Sequence, residues 1–383
     1  MALPEQSRRI DILASTLVTG GAEKVIQALV HGLPDHGFVP RVLCLHSLGE
    51  IGAEIMQSGV PVLSGIARFR FDPAVFCRLA AIFGHDRPAA LLSLDHHDAV
   101  FGGALASRYV GIRHRVLAVH SMGLWGRGSS FSRSDRLVLG AYHRIVALAK
   151  AHAEYLAERE KIARKKLCIV NNGIDTNRFH PVNSDEERRA IRDALELPHG
   201  IFVVAIVAAL RPEKNHKMLL AAASRMLRVR RDFVVLIVGE GAEEGKLHVL
   251  ARDLSLGANV RFIGRRSNVS DVFAAADASV LCSHPIVETF PLVVLEAMAS
   301  ALPVVATDVG AVNEMLASGE EGFLIPPGDA EVLAATLLML ADKPELRKKI
   351  GARGRERVVR DFSKETMVRR YADLLRIPAQ QEM

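Results

Sequence analysis

This 383-residue sequence predicts an α/β protein built of two doubly wound domains, and three observations predict it. Short continuous apolar runs rich in Val, Ile and Leu alternate with helical stretches along almost the whole chain, as expected of parallel strands covered on both faces. The chain is too long for one ordinary core. Its periodicity breaks at NNGIDTNRFHPVNSDEE (171–187), where Asn, Gly, Pro and charge take over.

In chain order, the first half predicts strands at IDILAS (10–15), PRVLCL (40–45), PVLS (61–64), ALLSL (90–94), RVLAVH (115–120), RIVALA (144–149) and LCIV (167–170). The second half predicts FVVAIVAA (202–209), FVVLIVG (233–239), VRFIG (260–264), ASVLCS (278–283), PVVATD (303–308) and GFLIP (322–326). A helical tail runs from about 329 to 376 and carries KPELRKK and RRYADLLR on amphipathic helices. The expected domains are 1–180 and 181–360, both Rossmann-like, with 361–383 a C-terminal helix packing back on the first. In open α/β sheets ligands sit at the C-terminal strand ends, so two such sheets facing across a cleft would hold substrate between them.

Composition narrows the classes. Hydrophobic residues make up 49% and charged residues 24%, the balance of a soluble globular protein. The longest apolar run, IFVVAIVAAL (201–210), is half of the roughly 20 residues that cross a bilayer, and the polar start MALPEQSRR does not read as a signal peptide. The expected location is cytoplasmic, at most peripheral on the inner face of a membrane. Cys44, Cys77, Cys168 and Cys282 lack CxxC or zinc-site spacing and are expected to be reduced, buried thiols. Residues 1–180 hold 22 Lys+Arg against 15 Asp+Glu, while the remainder holds 27 against 28. This excess reads as scattered solvated arginines or as a surface for anionic lipid or an acidic acceptor. With only 5% aromatic residues it does not read as a nucleic-acid face.

Four segments invite chemistry. In ETFPLVVLE (288–296) two carboxylates bracket an apolar stretch. Proline suits a first helical turn, so a helix opening at Phe290 or Pro291 would put Glu288 just before its N-terminus and Glu296 roughly 8 Å along its axis. Helix N-termini attract phosphates, so a ligand with an anionic middle and hydroxyl-rich ends fits, a nucleotide sugar among them. In STLVTGGAEKVI (15–26), Gly20 and Gly21 would let backbone approach a ligand, or are simply a turn. In AALRPEKNHKML (208–219), Arg211 and Lys214 lie between a strand end and a helix start, where cations would neutralise a diphosphate or be solvated. DHHD (95–98) invites a metal, but adjacent histidines at a strand end point apart, so no metal site is expected.

With these residues in place the chain resembles the retaining glycosyltransferases of family 4, with the GT-B fold, over nearly its whole length. The most specific match is the E-x7-E motif, Glu288 and Glu296, within HPIVETFPLVVLEAMASALPVVATDVG. TGGAE, LAVHSMG, VNNGID, RPEKNH, VGEG, VRFIGR and EGFLIPPGD follow in the family's order.

The resemblance implies metal-independent transfer of a sugar from a nucleoside-diphosphate sugar, a UDP-sugar before a GDP-sugar, to a glycan or lipid-linked acceptor, as in polysaccharide or lipopolysaccharide synthesis, with no cofactor. It implies Glu288 at the donor sugar's hydroxyls, Glu296 at the ribose, and Phe290, Pro291 and Leu292 lining sugar and phosphate, although Pro291 has no N–H. It further implies Gly20 and Gly21 closing on the donor, His120 near sugar and acceptor, Lys214 at the diphosphate and Arg265 near the base. Glu288, His120 and Lys214 are the expected catalytic residues. Other readings stay open: a GT-B epimerase or phosphorylase, or a non-catalytic nucleotide-sugar-binding subunit. One departure stands out. The family's arginine five residues before the lysine is Ala209 here, and Arg211, three residues before Lys214, is the candidate to replace it.

Overall fold

The computed structural model describes residues 9–376 except 19, 70–71, 95–96, 124–130 and 286–287. The chain divides into two compact units: residues up to Gly173 together with those from Lys364 onward, and Ile174–Ser363. The division falls at 173/174, seven residues before the expected boundary, because Ile174 already bridges to Ser363 and donates its N–H to the Phe362 carbonyl at 2.9 Å.

The first unit is a seven-stranded parallel sheet: β1 (Arg9–Ala14), β2 (Val39–Cys44), β3 (Val62–Leu63), β4 (Ala90–Leu94), β5 (His114–Ala118), β6 (Arg144–Ala147) and β7 (Leu167–Ile169), in the order β3-β2-β1-β4-β5-β6-β7. Side chains alternate across each strand, and both faces are filled. Ile10, Ile12 and Ala14 of β1 meet Leu29 and Val30 of the helix Gly21–Gly32 and Met367, Val368 and Tyr371 of the helix Lys364–Leu375. Leu13 turns the other way, to Leu79, Phe83, Ala99 and Ala106. The C-terminal helix is thus part of this core, so close that a Cβ on Gly32 would lie 2.8 Å from the Val368 methyls. One charged pair is buried here. Asp11, fully enclosed in β1, takes two hydrogen bonds from Arg41 of β2 at 2.9 and 2.7 Å. All four cysteines are free, and Cys77, expected to be buried, is exposed on the helix Val75–Asp86.

The second unit is a six-stranded parallel sheet of β8 (Phe202–Val207), β9 (Phe233–Val238), β10 (Val260–Phe262), β11 (Ala278–Leu281), β12 (Val304–Thr307) and β13 (Gly322–Ile325), ordered β10-β9-β8-β11-β12-β13. Its sheet packs on the helices His216–Leu227 and Ala330–Asp342 through Leu219, Ala223, Leu333 and Leu337. The helix Pro344–Asp361 lies against the Ala301 turn at Gly351, where a Cβ would sit 1.9 Å from the Ala301 carbonyl oxygen.

Both sheets wind outward in two directions from their first strand, so each has a switch point: β1/β4 in the first unit and β8/β11 in the second. At such a point the loops after neighbouring strands diverge and leave a crevice at the carboxyl ends.

Candidate active site

The switch point of the second unit holds the densest polar cluster predicted from the sequence. After β8 the chain makes a 3-10 turn, Pro212–Lys214, and Asn215 takes φ 50°, the left-handed conformation that Asn tolerates, before the helix His216–Leu227 begins. After β11, Ser283 and His284 lead toward Glu288. The two loops are tied, because the His284 N–H donates to the Glu213 carbonyl at 2.9 Å.

Glu288 is 6% exposed. Its Oε1 accepts from the Ser283 hydroxyl at 2.6 Å and from the Lys214 ammonium, and Ser283 is held in turn by Thr307, whose hydroxyl donates to the Ser283 carbonyl at 2.9 Å. A chain of hydrogen bonds therefore runs from the end of β12, through the end of β11, to a residue anchored at the end of β8. A buried carboxylate is tolerable only when paired and hydrogen-bonded, and here it is both.

Gly310 completes the support. It has φ +58°, and a Cβ there would lie 1.6 Å from the Glu288 carbonyl oxygen. Gly239 and Gly241 do the same for the Lys214 loop, lying against Ala208 and Leu210 with no room for a Cβ, 2.1 and 2.4 Å from their carbonyl oxygens.

The helix after Glu288 opens at Leu292, later than the expected Phe290 or Pro291. Pro291 has ψ 120° and stands as the cap of Leu292–Ala299. Phe290 is buried edge-on against Phe362, ring centroids 5.4 Å apart, so its side chain anchors the turn. Glu296, in the second turn, is 3% exposed. Two further buried polar groups border the cluster with no hydrogen-bond partner among the described residues: the Thr289 hydroxyl and both ring nitrogens of His216. Burial, with the neighbouring Lys214 charge, pushes the His216 pKa down to about 4, so the ring is neutral at ordinary pH. Buried polar groups without a protein partner call for an explanation, and a bound water or ligand is one.

Arg211 is not drawn into this cluster. Its side chain is 67% exposed and stands 4.0 Å from Glu213. Arg265 is exposed beyond β10, at the sheet edge and two strands from the switch point.

The first unit positions its candidates differently. Gly20 has an extended backbone, φ −167°, and caps the helix Gly21–Gly32; the space where its Cβ would stand is taken by the Glu23 carboxylate, 2.3 Å away. His120 follows the end of β5, and the chain beside it is gripped by a residue that sequence reasoning did not single out. His152, fully buried, accepts the Leu148 N–H at Nδ1 (3.1 Å) and so carries its proton on Nε2, which donates to the Ser121 carbonyl at 3.2 Å. Burial, and next the charge on His120, pushes its pKa down to about 3. Of DHHD, Asp95 and His96 lie outside the described residues, and Asp98 is bonded to His46 at 2.7 Å. No cluster of metal-ligating side chains occurs among the described residues.

Comparison with known proteins gives the family. Residues 19–178 match Glycosyltransferase Family 4 and residues 187–357 match Glycosyl transferases group 1. A D-inositol 3-phosphate glycosyltransferase of Kribbella flavida is 30% identical over 308 residues, 73% of this chain and 70% of that protein. The chain belongs to the GT-B glycosyltransferases of family 4. Another family relative, EpsD of Bacillus subtilis, named as a glycosyltransferase, is 36% identical over 202 residues; the match spans 53% of this chain and only about half, 52%, of EpsD. The family's GT-B fold is matched by the crystal structure of Anabaena HepE in complex with UDP, with a TM-score of 0.82 at 22% identity, covering 96% of this chain and 99% of that one.

Proposed function

We propose that this protein is a metal-independent, retaining glycosyltransferase that moves a sugar from a nucleoside-diphosphate sugar to a hydroxyl of a glycan or lipid-linked acceptor. The observation that carries the reading is the buried Glu288 carboxylate, held by Lys214 and Ser283 at the β8/β11 switch point. A fixed carboxylate there accepts hydrogen bonds from sugar hydroxyls, and Glu296, a turn into the following helix, suits the ribose. The Lys214 ammonium and the N–H groups opening the helices at His216 and Leu292 meet the charge that grows on the departing diphosphate. The bond from the sugar's anomeric carbon to the diphosphate breaks, a bond to the acceptor oxygen forms on the same face, and a phosphate oxygen takes the acceptor's proton. Arg211 replaces the family arginine by turning from its exposed position toward the diphosphate, and Arg265 serves the base. His120, with Gly20 and Gly21, serves the sugar and acceptor from the first unit.

UDP is the preferred nucleotide, a choice supported by HepE, whose structures hold UDP and UDP-glucose. The test is a melting-temperature panel with UDP-, GDP- and ADP-sugars. A ligand at 100 times its Kd stabilises by about 2.7 kcal/mol, so a UDP-sugar should raise Tm and then be hydrolysed slowly without acceptor. No shift with any nucleotide sugar would overturn the reading, and a shift without turnover would favour a non-catalytic binder.

A further inference from the structure

The helix His97–Val110 covers one face of the first sheet, burying Ala99, Val100, Ala104 and Ala106. Its exposed residues beyond Asp98 are Phe101, Leu105, Arg108 and Tyr109: two aromatics, a leucine and a cation, where a solvated helix normally shows mixed charge. The short helix Arg133–Val138 shares the buried partners Val100 and Ala104 through Val138, and exposes Arg133, Arg136 and Leu137. Leu137 is 84% exposed and Tyr109 76%, so they project from the surface rather than line a recess.

Neither of these two helices exposes an acidic residue. Between residues 97 and 149 the acidic residues are Asp98 and Asp135. Asp98 is bonded to His46, and Asp135 is buried in a capping box with Ser132. Arg136 is matched by the buried Glu160 at 2.9 Å, whereas Arg108 and Arg133 face no carboxylate among the described residues.

We infer that this face docks on an anionic lipid bilayer, with Leu137, Tyr109, Leu105 and Phe101 entering the headgroup boundary and Arg108 and Arg133 meeting lipid phosphates. Apolar and aromatic side chains flanked by arginines on one exposed helical face suit that interface, where the ring or leucine sits in the acyl boundary and the cation stays at headgroup level. A second copy of the chain is a poor occupant. A two-fold contact on this face would set Arg108 and Arg133 against their own copies with no carboxylate between. No helix of the described residues is long and apolar enough to cross a membrane, so the attachment is peripheral and reversible.

The experiment is co-sedimentation of the full chain, without nucleotide, with vesicles of phosphatidylcholine alone or mixed with phosphatidylglycerol, at about 0.15 M salt. Being read without nucleotide, it stands or falls apart from the transferase reading. Wild type should sediment only with the phosphatidylglycerol vesicles. Leu137→Ser and Tyr109→Ser should each weaken binding about tenfold with net charge unchanged. Arg108→Gln and Arg133→Gln should each weaken it about fivefold and flatten its salt dependence. Val229→Ser, removing a comparably exposed residue (72%) from the second unit, should change nothing. Wild type that ignores anionic vesicles, binds both kinds equally, or binds unchanged after Leu137→Ser would overturn the inference. So would ultracentrifugation showing that Leu137→Ser abolishes a dimer and leaves vesicle binding intact.

Discussion

The two units share a winding order outward from their first strand, yet their switch points are built differently. In the second, three strand ends are linked by hydrogen bonds through Thr307, Ser283, Glu288 and Lys214, and Gly310 and Gly239, both at positive φ, give the loops close backbone contact. In the first, the described part of the switch point offers Gly20 under the Glu23 carboxylate, and the candidate histidine lies one strand further out, beyond β5. A site that binds the same diphosphate and sugar in every turnover calls for preorganised, buried charge. In the proposed function the second unit's site is the one that holds diphosphate and sugar, and its prebuilt charge suits that task.

The largest effect should come from the centre of the second site. Glu288→Ala should lower transfer, or donor hydrolysis, by about a thousandfold, the scale of losing a preorganised electrostatic group, while circular dichroism stays that of wild type. Wild-type turnover in that variant would remove the distinction between the two switch points. Next comes the support. Gly310→Ala forces a Cβ into the Glu288 carbonyl at positive φ and should cost about 3 kcal/mol of stability, measured by denaturant unfolding; a cost within about 0.5 kcal/mol would mean that this loop yields freely.

In the first unit, His152→Gln keeps an amide donor for Ser121 and gives up the acceptor at Leu148; turnover should fall about tenfold through misplacement of His120, with His152→Ala lower still. The same pair tests a pH effect. His152 is neutral when folded, with its pKa down at about 3, and has an ordinary value of 6.5 when unfolded. The unfolded chain therefore binds the extra proton, and this contribution to stability is whole above pH 6.5 and is lost as pH falls toward 3. Wild type should lose stability more steeply than His152→Gln across that window, and parallel curves would contradict the buried, neutral ring. An effect of similar size is assigned to Arg211→Ala, about 1.5 kcal/mol in donor affinity, the low end for a hydrogen bond to a charged group, since the side chain must first leave solvent and Glu213. Unchanged affinity would leave the diphosphate to Lys214 and the helix N-termini.

Much of this architecture was readable in advance. Each of the thirteen strands appears within a few residues of its apolar run, because a strand buried on both faces leaves a continuous hydrophobic signature. Glu288 and Lys214, separated by 74 positions, were singled out by their places at a strand end and a helix start, and the fold brings them into contact. Ser283, Thr307 and His152 were not, since a buried hydroxyl or imidazole announces nothing until a distant partner is known. Gly310 was hidden for the same reason: the carbonyl that forbids a side chain there belongs to a residue 22 positions away. Asp11 and Arg41 are 30 positions apart, and only the register of β1 on β2 sets them opposite each other.

The central claim, that the donor's diphosphate is held at the β8/β11 switch point, is tested most directly by calorimetric titration of UDP into wild type, Lys214→Met and His152→Gln. The account predicts that Lys214→Met weakens UDP at least about tenfold, a loss of roughly 1.4 kcal/mol, while His152→Gln binds as wild type does. Equal affinity in wild type and Lys214→Met, or a loss confined to His152→Gln, would contradict it.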